Sequence, residues 1–256
     1  MADCDPSTYR RFEQRARDYA ASRPDYPAKL VDVLLQRLRL PLGARVVDIG
    51  SGTGIFSRLL LDRGLHVAAV EPGADMRKTA ETELGEHLRF TSVNGTAQAT
   101  GLATGSVAAI FCAQAFHWFN EEATLLEWRR ILQLGGSTAL IWNYHDETDP
   151  FVAAYLEVVR ALGTDADKTM ASAWNTHRDN VLFRDRAAEV VSFPHAQQLD
   201  FDGLLRRVSS TSYLPKHGDP QWGPMQERLR AVFDQHQAAG VVTLAYRTIA
   251  VFGPLD

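Results

Sequence analysis

Nine consecutive residues, Val46-Val47-Asp48-Ile49-Gly50-Ser51-Gly52-Thr53-Gly54, carry the densest chemistry in the chain. A short apolar run that ends in closely spaced glycines reads as a buried strand passing into a turn and then a helix. Glycine has no Cβ and adopts positive φ easily, so such a turn lets backbone approach a ligand closely. The spacing is G-x-G-x-G. It is tighter than the G-x-G-x-x-G that cradles a pyrophosphate, which suits a nucleoside cofactor with no phosphate. Glu71 follows 17 positions after Gly54, at the end of the next apolar run. An acid there is placed to accept hydrogen bonds from ribose hydroxyls.

Two further segments meet the same edge if the strands are parallel, because ligands of open α/β sheets bind outside the carboxyl ends of the strands. They are Asn94-Gly95-Thr96-Ala97-Gln98 and Gln114-Ala115-Phe116-His117-Trp118-Phe119. His117 is the candidate general base, since imidazole titrates near neutrality. The preferred alternative is that it orders its loop by hydrogen bonding while Trp118 and Phe119 pack beneath it. Tyr144 and His145 stand after a later strand and are candidate substrate contacts. Tyr9, Tyr19 and Tyr26 either wall the pocket or pack an N-terminal lid onto the body. His177, His195, His217 and His236 show no metal-ligand spacing, so no metal is expected.

The elements that position these residues follow from periodicity. Helical spacing over Leu30–Leu38, 55–63, 74–84 and 121–132 alternates with apolar runs at 45–49, 66–70, 88–93, 107–113 and 137–143. Gly135-Gly136 reads as a turn before the last of these. This alternation predicts an α/β fold whose mostly parallel sheet is covered by helices on both faces. After Tyr144 the rhythm loosens. Helices are expected at 151–162, 201–210 and 224–237, with strands at 188–194 and 243–252. Trp174, Met170, Tyr155, Tyr213 and Trp222 in this half are either pocket lining or ordinary core.

Composition sets outer bounds. The chain has 256 residues, 45% of them hydrophobic and 23% charged, which suits one globular domain. A net charge of −4 supplies no basic field for a nucleic-acid backbone. No apolar run approaches the ~20 residues of a membrane span, and the polar start does not read as a signal peptide. Cys4 and Cys112 lie far apart, and as reduced thiols they fit a cytoplasmic protein. A small-molecule partner is therefore expected, with no nucleic acid and no membrane, in a monomer or homodimer.

Residues 45–143 resemble the core of the class I, seven-stranded S-adenosylmethionine methyltransferases, in the type 11 branch. The resemblance rests on VVDIGSGTG, VAAVEPG, GTAQATGL, SVAAIFCAQAFHWF and RRILQLGGSTALIW. AQAFHWF and the early Tyr19 and Arg23-Pro24-Asp25-Tyr26-Pro27 are similar to the trans-aconitate-methyltransferase-like members. The resemblance implies a Rossmann-like seven-stranded fold with a helical cap and S-adenosyl-L-methionine as cofactor, S-adenosyl-L-homocysteine being the product. Within one domain it implies lid helices over 1–40, a cofactor core over 44–143, a cap over 145–187 and the rest of the sheet over 188–256.

By the same resemblance, Asp48, Gly50, Gly52 and Gly54 line the methionine portion, with Ser51 nearby. Glu71 binds both ribose hydroxyls, while Pro72 and Met76 pack near the adenine and Thr96 and Ala97 meet its edge. Ala113 and Gln114 hold the amino group through backbone, and Arg23 pairs with the carboxylate. The sequence departs from the branch at Gln98, where a glutamate is usual, at Ala108, where an acid is usual, and at Thr100-Gly101-Leu102. The implied reaction is methyl transfer to oxygen, nitrogen or carbon of a small molecule, with a carboxylate or hydroxyl favoured. The competing readings are a nicotinamide-dependent oxidoreductase and a homologue that binds the cofactor without methylating.

Overall fold

The computed structural model describes residues 22–119, 121–163, 183, 188–211 and 214–255. Tyr9, Tyr19, Met170, Trp174, His177 and Tyr213 lie outside the described residues. Seven strands form one sheet: β1 Arg45–Ile49, β2 His66–Val70, β3 Phe90–Val93, β4 Val107–Ala113, β5 Leu132–His145, β6 Glu189–Leu199 and β7 Val242–Pro254. Their order is β3-β2-β1-β4-β5-β7-β6. The first five strands run parallel, with Val46 beside Val67 and Ile110 beside Thr138. β7 runs antiparallel between its two neighbours, so Ala250 pairs with Ile141 on one side and Val191 on the other.

Seven α-helices are described: α1 Ala28–Arg37, α2 Ile55–Leu61, α3 Ala74–Leu84, α4 Glu121–Ile131, α5 Pro150–Leu162, α6 Phe201–Ser209 and α7 Trp222–His236. Side chains alternate across a strand, and the two faces of the sheet build two separate cores. Val46 and Phe111 face Leu30, Val31 and Leu34 of α1 and Leu60 of α2. Val47, Ile110 and Cys112 face Trp128 and Ile131 of α4. The expected α/β sheet with helices on both faces is the fold observed.

A third core explains the looser second half. Val242, Leu244 and Tyr246 of β7 pack with Phe151 and Leu156 of α5, Leu204 and Val208 of α6, and Met225 and Leu229 of α7. Helices α6 and α7, which lie between β6 and β7 in the chain, thus share one core with α5. Two boundaries also differ from expectation. Leu88 is exposed and β3 begins only at Phe90, after a turn in which Phe90 N–H donates to the His87 carbonyl. The Gly135-Gly136 turn lies within a longer β5, at a register break between Val107 and Ala109 of its partner.

Strand order places the crevice. The direction of winding reverses between β1 and β4, and their carboxyl ends leave a gap where ligands of doubly wound folds bind. The glycine turn, Glu71 and the 114–119 loop all open onto this edge.

Candidate functional site

The turn after β1 adopts a conformation that demands glycine. Gly50, Gly52 and Gly54 have φ of 70°, 56° and 84°, in the left-handed region that L-residues avoid. Their reasons differ. A Cβ at Gly50 would lie 2.5 Å from Ala115 Cβ, and one at Gly54 would lie 2.7 Å from Leu84 Cδ1. Gly50 thus lets the loop after β4 close in, and Gly54 lets α3 pack. Nothing lies within 4 Å of a Cβ built on Gly52. Open space stands over the middle of the turn, where a ligand can meet bare backbone.

Glu71 joins the two strand ends. Its Oε2 accepts the Gly52 N–H at 3.0 Å and its Oε1 the Gly73 N–H at 2.8 Å. Burial raises its pKa above the ordinary carboxylate value, and the two amide hydrogen bonds oppose that rise. Arg77 donates to the Glu71 and Pro72 carbonyls at 2.9 and 2.7 Å and fixes the backbone that carries the acid. Pro72 is half-buried and Met76 is buried behind Gly73.

Asp48 lies below the turn, almost wholly buried. Its Oδ2 accepts the Ser57 hydroxyl at 2.7 Å, tying the end of β1 to the first turn of α2. Burial raises its pKa to about 7 against the lowering hydrogen bond from Ser57, and the nearby Glu71 charge adds to the rise. The adenine-edge candidates sit on a tight turn. Thr96 and Ala99 exchange backbone hydrogen bonds at 3.1 and 3.2 Å, with Ala97 buried between them.

That turn is anchored by a residue that sequence reading missed. Glu127 of α4 accepts the Thr100 N–H at 2.8 Å and its hydroxyl at 2.5 Å, and binds Arg130 at 2.7 Å. Arg130 in turn donates to the Leu102 carbonyl at 2.7 Å. An acid inside a helix gives no signal for this in a single sequence.

On the other side of the gap, Ala113 ends β4 and Gln114 takes a φ of 58°, a strained conformation for a residue with a Cβ. Its N–H donates to Ile141 O at 2.8 Å and its Nε2 to Asn143 O at 3.2 Å. His117 follows in a single 3₁₀ turn over Phe116–Trp118, its ring 4.8 Å from Trp118. Burial lowers its pKa to about 4, and its Nδ1 is buried without a hydrogen-bond partner. It is therefore neutral at pH 7 and a weak proton acceptor there.

Tyr144 is half-buried, and burial raises its phenol pKa. His145 stacks 5.0 Å from Tyr246 and 5.8 Å from Tyr155. Burial first, then the charges of Arg207, Arg23 and Arg160, lower its pKa to about 3. Arg23 donates to Ser210 O at 3.1 Å, which sets it beside α6. Tyr26 is buried edge-on against Phe56 with centroids 5.1 Å apart.

Among the described residues no group of three or more His, Cys, Asp and Glu side chains is arranged to hold a metal ion. No described helix is long and apolar enough to cross a membrane.

Residues 47–140 match the methyltransferase domain family. An uncharacterized methyltransferase of Mycobacterium tuberculosis is 36% identical over 239 residues, spanning 91% of this chain and 90% of its own. Among solved structures, a putative type II methyltransferase from Anaeromyxobacter dehalogenans superposes with a TM-score of 0.68 at 23% identity, over 91% of this chain and 98% of its own. A methyltransferase from Geobacter sulfurreducens, solved with S-adenosyl-L-homocysteine, gives a TM-score of 0.50 at 19% identity, over 96% of this chain and 98% of its own.

Proposed function

Because the chain belongs to the methyltransferase family, we propose that it transfers the methyl group of S-adenosyl-L-methionine to a small-molecule acceptor, an oxygen of a carboxylate or hydroxyl being favoured. The observation that carries this reading is the pairing of Glu71 with Gly52 under open space at the gap between β1 and β4. A nucleoside laid across that turn meets bare backbone and a carboxylate able to accept from both ribose hydroxyls. Nothing in the site resembles a pyrophosphate cradle. The sheet order also differs from the 3-2-1-4-5-6 order of dinucleotide enzymes, since β7 enters antiparallel between β5 and β6.

When bound, the cofactor supplies a methyl carbon already activated by a sulfonium. What remains for the chain is alignment of the acceptor and exclusion of water, and positioning of that kind is worth effective molarities of ~10⁵–10⁸ M. Gln114, held by Ile141 and Asn143, fixes the backbone on the β4 side of the gap. His117 is neutral at pH 7, because burial lowers its pKa to about 4. Trp118 and Tyr144, on the loop after β4 and near the end of β5, stand at the same edge.

Calorimetric titration with S-adenosyl-L-methionine, S-adenosyl-L-homocysteine and NADPH in parallel tests this reading. Micromolar binding of the first two and none of the third is the expected result. Binding of NADPH alone would overturn it.

A further inference from the structure

Residues 22–27, which lead into α1, cross the carboxyl end of the sheet as a strap. The Ser22 carbonyl accepts from Gln197 Nε2 of β6 at 2.9 Å. The Asp25 carboxylate stands 2.9 Å from His195 Nε2 on the same strand. His195 lies opposite Tyr246 of β7, whose hydroxyl accepts from Arg207 of α6 at 3.4 Å. The Asp25 carbonyl accepts from Asn143 Nδ2 of β5 at 3.0 Å. Tyr26 then packs on Phe56, in the first turn of α2. The strap thus runs from the edge strand β6 to the helix that opens at the glycine turn.

Asn143 is the point where this strap meets the β4 side of the gap. Its backbone carbonyl accepts from Gln114 Nε2 at 3.2 Å, and Gln114 is the residue held at positive φ directly after β4. Its side-chain amide reaches the other way. Asn143 and Thr248 are paired in register across β5 and β7, and Asn143 Oδ1 accepts the hydroxyl of the fully buried Thr248 at 2.6 Å. The amide has one workable sense. Its NH₂ must face the Asp25 carbonyl, which can only accept, and its oxygen then faces the hydroxyl, which can donate. One residue therefore ties together segments that lie 29, 105 and 118 positions from it in sequence.

We infer that Asn143 is a positioning residue for the methyl-transfer site, its amide holding the strap in place against the Gln114 side of the gap. The inference rests on the methyltransferase reading for the reaction that is positioned. Asn143 acts through Asp25 and Gln114 and not on the reacting atoms. A neutral amide is required, because an aspartate here would set a charged acceptor against the Asp25 carbonyl, and an alanine would leave that carbonyl without this donor. The Thr248 hydroxyl serves the same end by keeping the amide in its one sense.

The test uses the full chain with two readouts. Amide hydrogen exchange without ligand follows the strap at Arg23, Asp25 and Tyr26, since Pro24 and Pro27 have no N–H. Calorimetry follows S-adenosyl-L-homocysteine binding well below Tm. Asn143→Ala and Asn143→Asp should speed strap exchange about tenfold, the scale of one hydrogen bond, and weaken S-adenosyl-L-homocysteine binding severalfold. Thr248→Val keeps the side-chain shape and should give smaller changes of the same kind, and it serves if the Asn143 variants do not fold. Added to Asn143→Ala it should change neither readout further, because the hydroxyl acts only through the amide. Ile249→Val, a mild core cut beside Thr248, should lower Tm and leave both readouts unchanged. The inference is overturned if strap exchange is unaltered in the Asn143 and Thr248 variants. Faster strap exchange with unaltered S-adenosyl-L-homocysteine affinity would overturn it too, by leaving Asn143 a merely structural role. So would an equal loss of affinity in Ile249→Val, which would trace the effect to general loosening of the sheet. Failure of the wild type to bind S-adenosyl-L-homocysteine would instead overturn the methyltransferase reading itself, and this inference with it.

Discussion

Gly52 donates its backbone N–H to the Glu71 carboxylate at 3.0 Å, so the turn after β1 and the acid after β2 are one structural unit. The acid positions the glycine turn as well as facing the ligand space. Glu71→Ala should therefore weaken S-adenosyl-L-homocysteine binding by roughly 1.5–3 kcal/mol, the scale of hydrogen bonds to a charged group. Calorimetry reads the change directly, and an unaltered dissociation constant would remove Glu71 from the ribose.

The two glycines on either side of Ser51 should respond differently to alanine. At Gly50 the added Cβ meets Ala115 at 2.5 Å, so Gly50→Ala combines a clash with positive φ and should lower Tm sharply. At Gly52 only the φ of 56° is penalised, by about 1–2 kcal/mol, because no atom is near. Gly52→Ala should instead show its main loss in cofactor affinity. Melting curves with and without S-adenosyl-L-homocysteine separate the two effects, and equal behaviour of both variants would contradict the geometry.

Asp48 gives the fold a pH signature. Its pKa rises from 3.8 to about 7 on folding, so the folded chain binds more protons than the unfolded one between these values. Stability contributed by protonated Asp48 is full below about pH 4 and is lost as pH climbs towards 7. Asp48→Asn, an isostere that can still accept from Ser57, should flatten this slope, with a difference of a few kcal/mol at most. His117 and His145 act in the opposite sense. Their folded pKa values of about 4 and 3 give stability that is present above pH 6.5 and is lost on acidification. The comparison is thus of Asp48→Asn with wild type at each pH, by thermal melting. A parallel pair of profiles would show that Asp48 does not titrate in this window.

Glu127→Ala should loosen the loop after β3. It leaves the fully buried Thr100 without its acceptor, and an orphaned buried donor costs about 1–3 kcal/mol. Glu127→Gln keeps an acceptor and should lose less. Amide hydrogen exchange at Thr100 follows the loop itself, and unchanged protection in Glu127→Ala would rule out the anchoring role.

Residues 45–143 were legible because the strands and helices there carry their own periods and most end at a glycine or a polar loop. The Val46–Gly54 turn and Glu71 could be found together, since both lie one element apart in a repeating α/β pattern. Arg207 was legible in principle: helical spacing sets it between Leu204 and Val208 on the apolar side of α6. Its partner Tyr246 was not, because that contact depends on where β7 enters the sheet. Glu127 and Thr100 meet across 27 residues of chain, and nothing local in either segment announces the other. The bulged start of β5 was read as a turn because Gly135 does have a positive φ of 76° there, within a strand that continues through it.

The placement of β7 also bears on how the chain reaches its native state. Ala250 joins Ile141 and Val191 at once, so β7 bridges two strands that precede it in the chain. Until β7 inserts, β5 and β6 each present an open edge of unpaired amides and carbonyls, the kind of surface through which chains associate wrongly. Closure of such distant pairings is slow because loop entropy must be overcome before the contacts form. Insertion of β7 between β5 and β6 also brings His145, Tyr246 and His195 into one row.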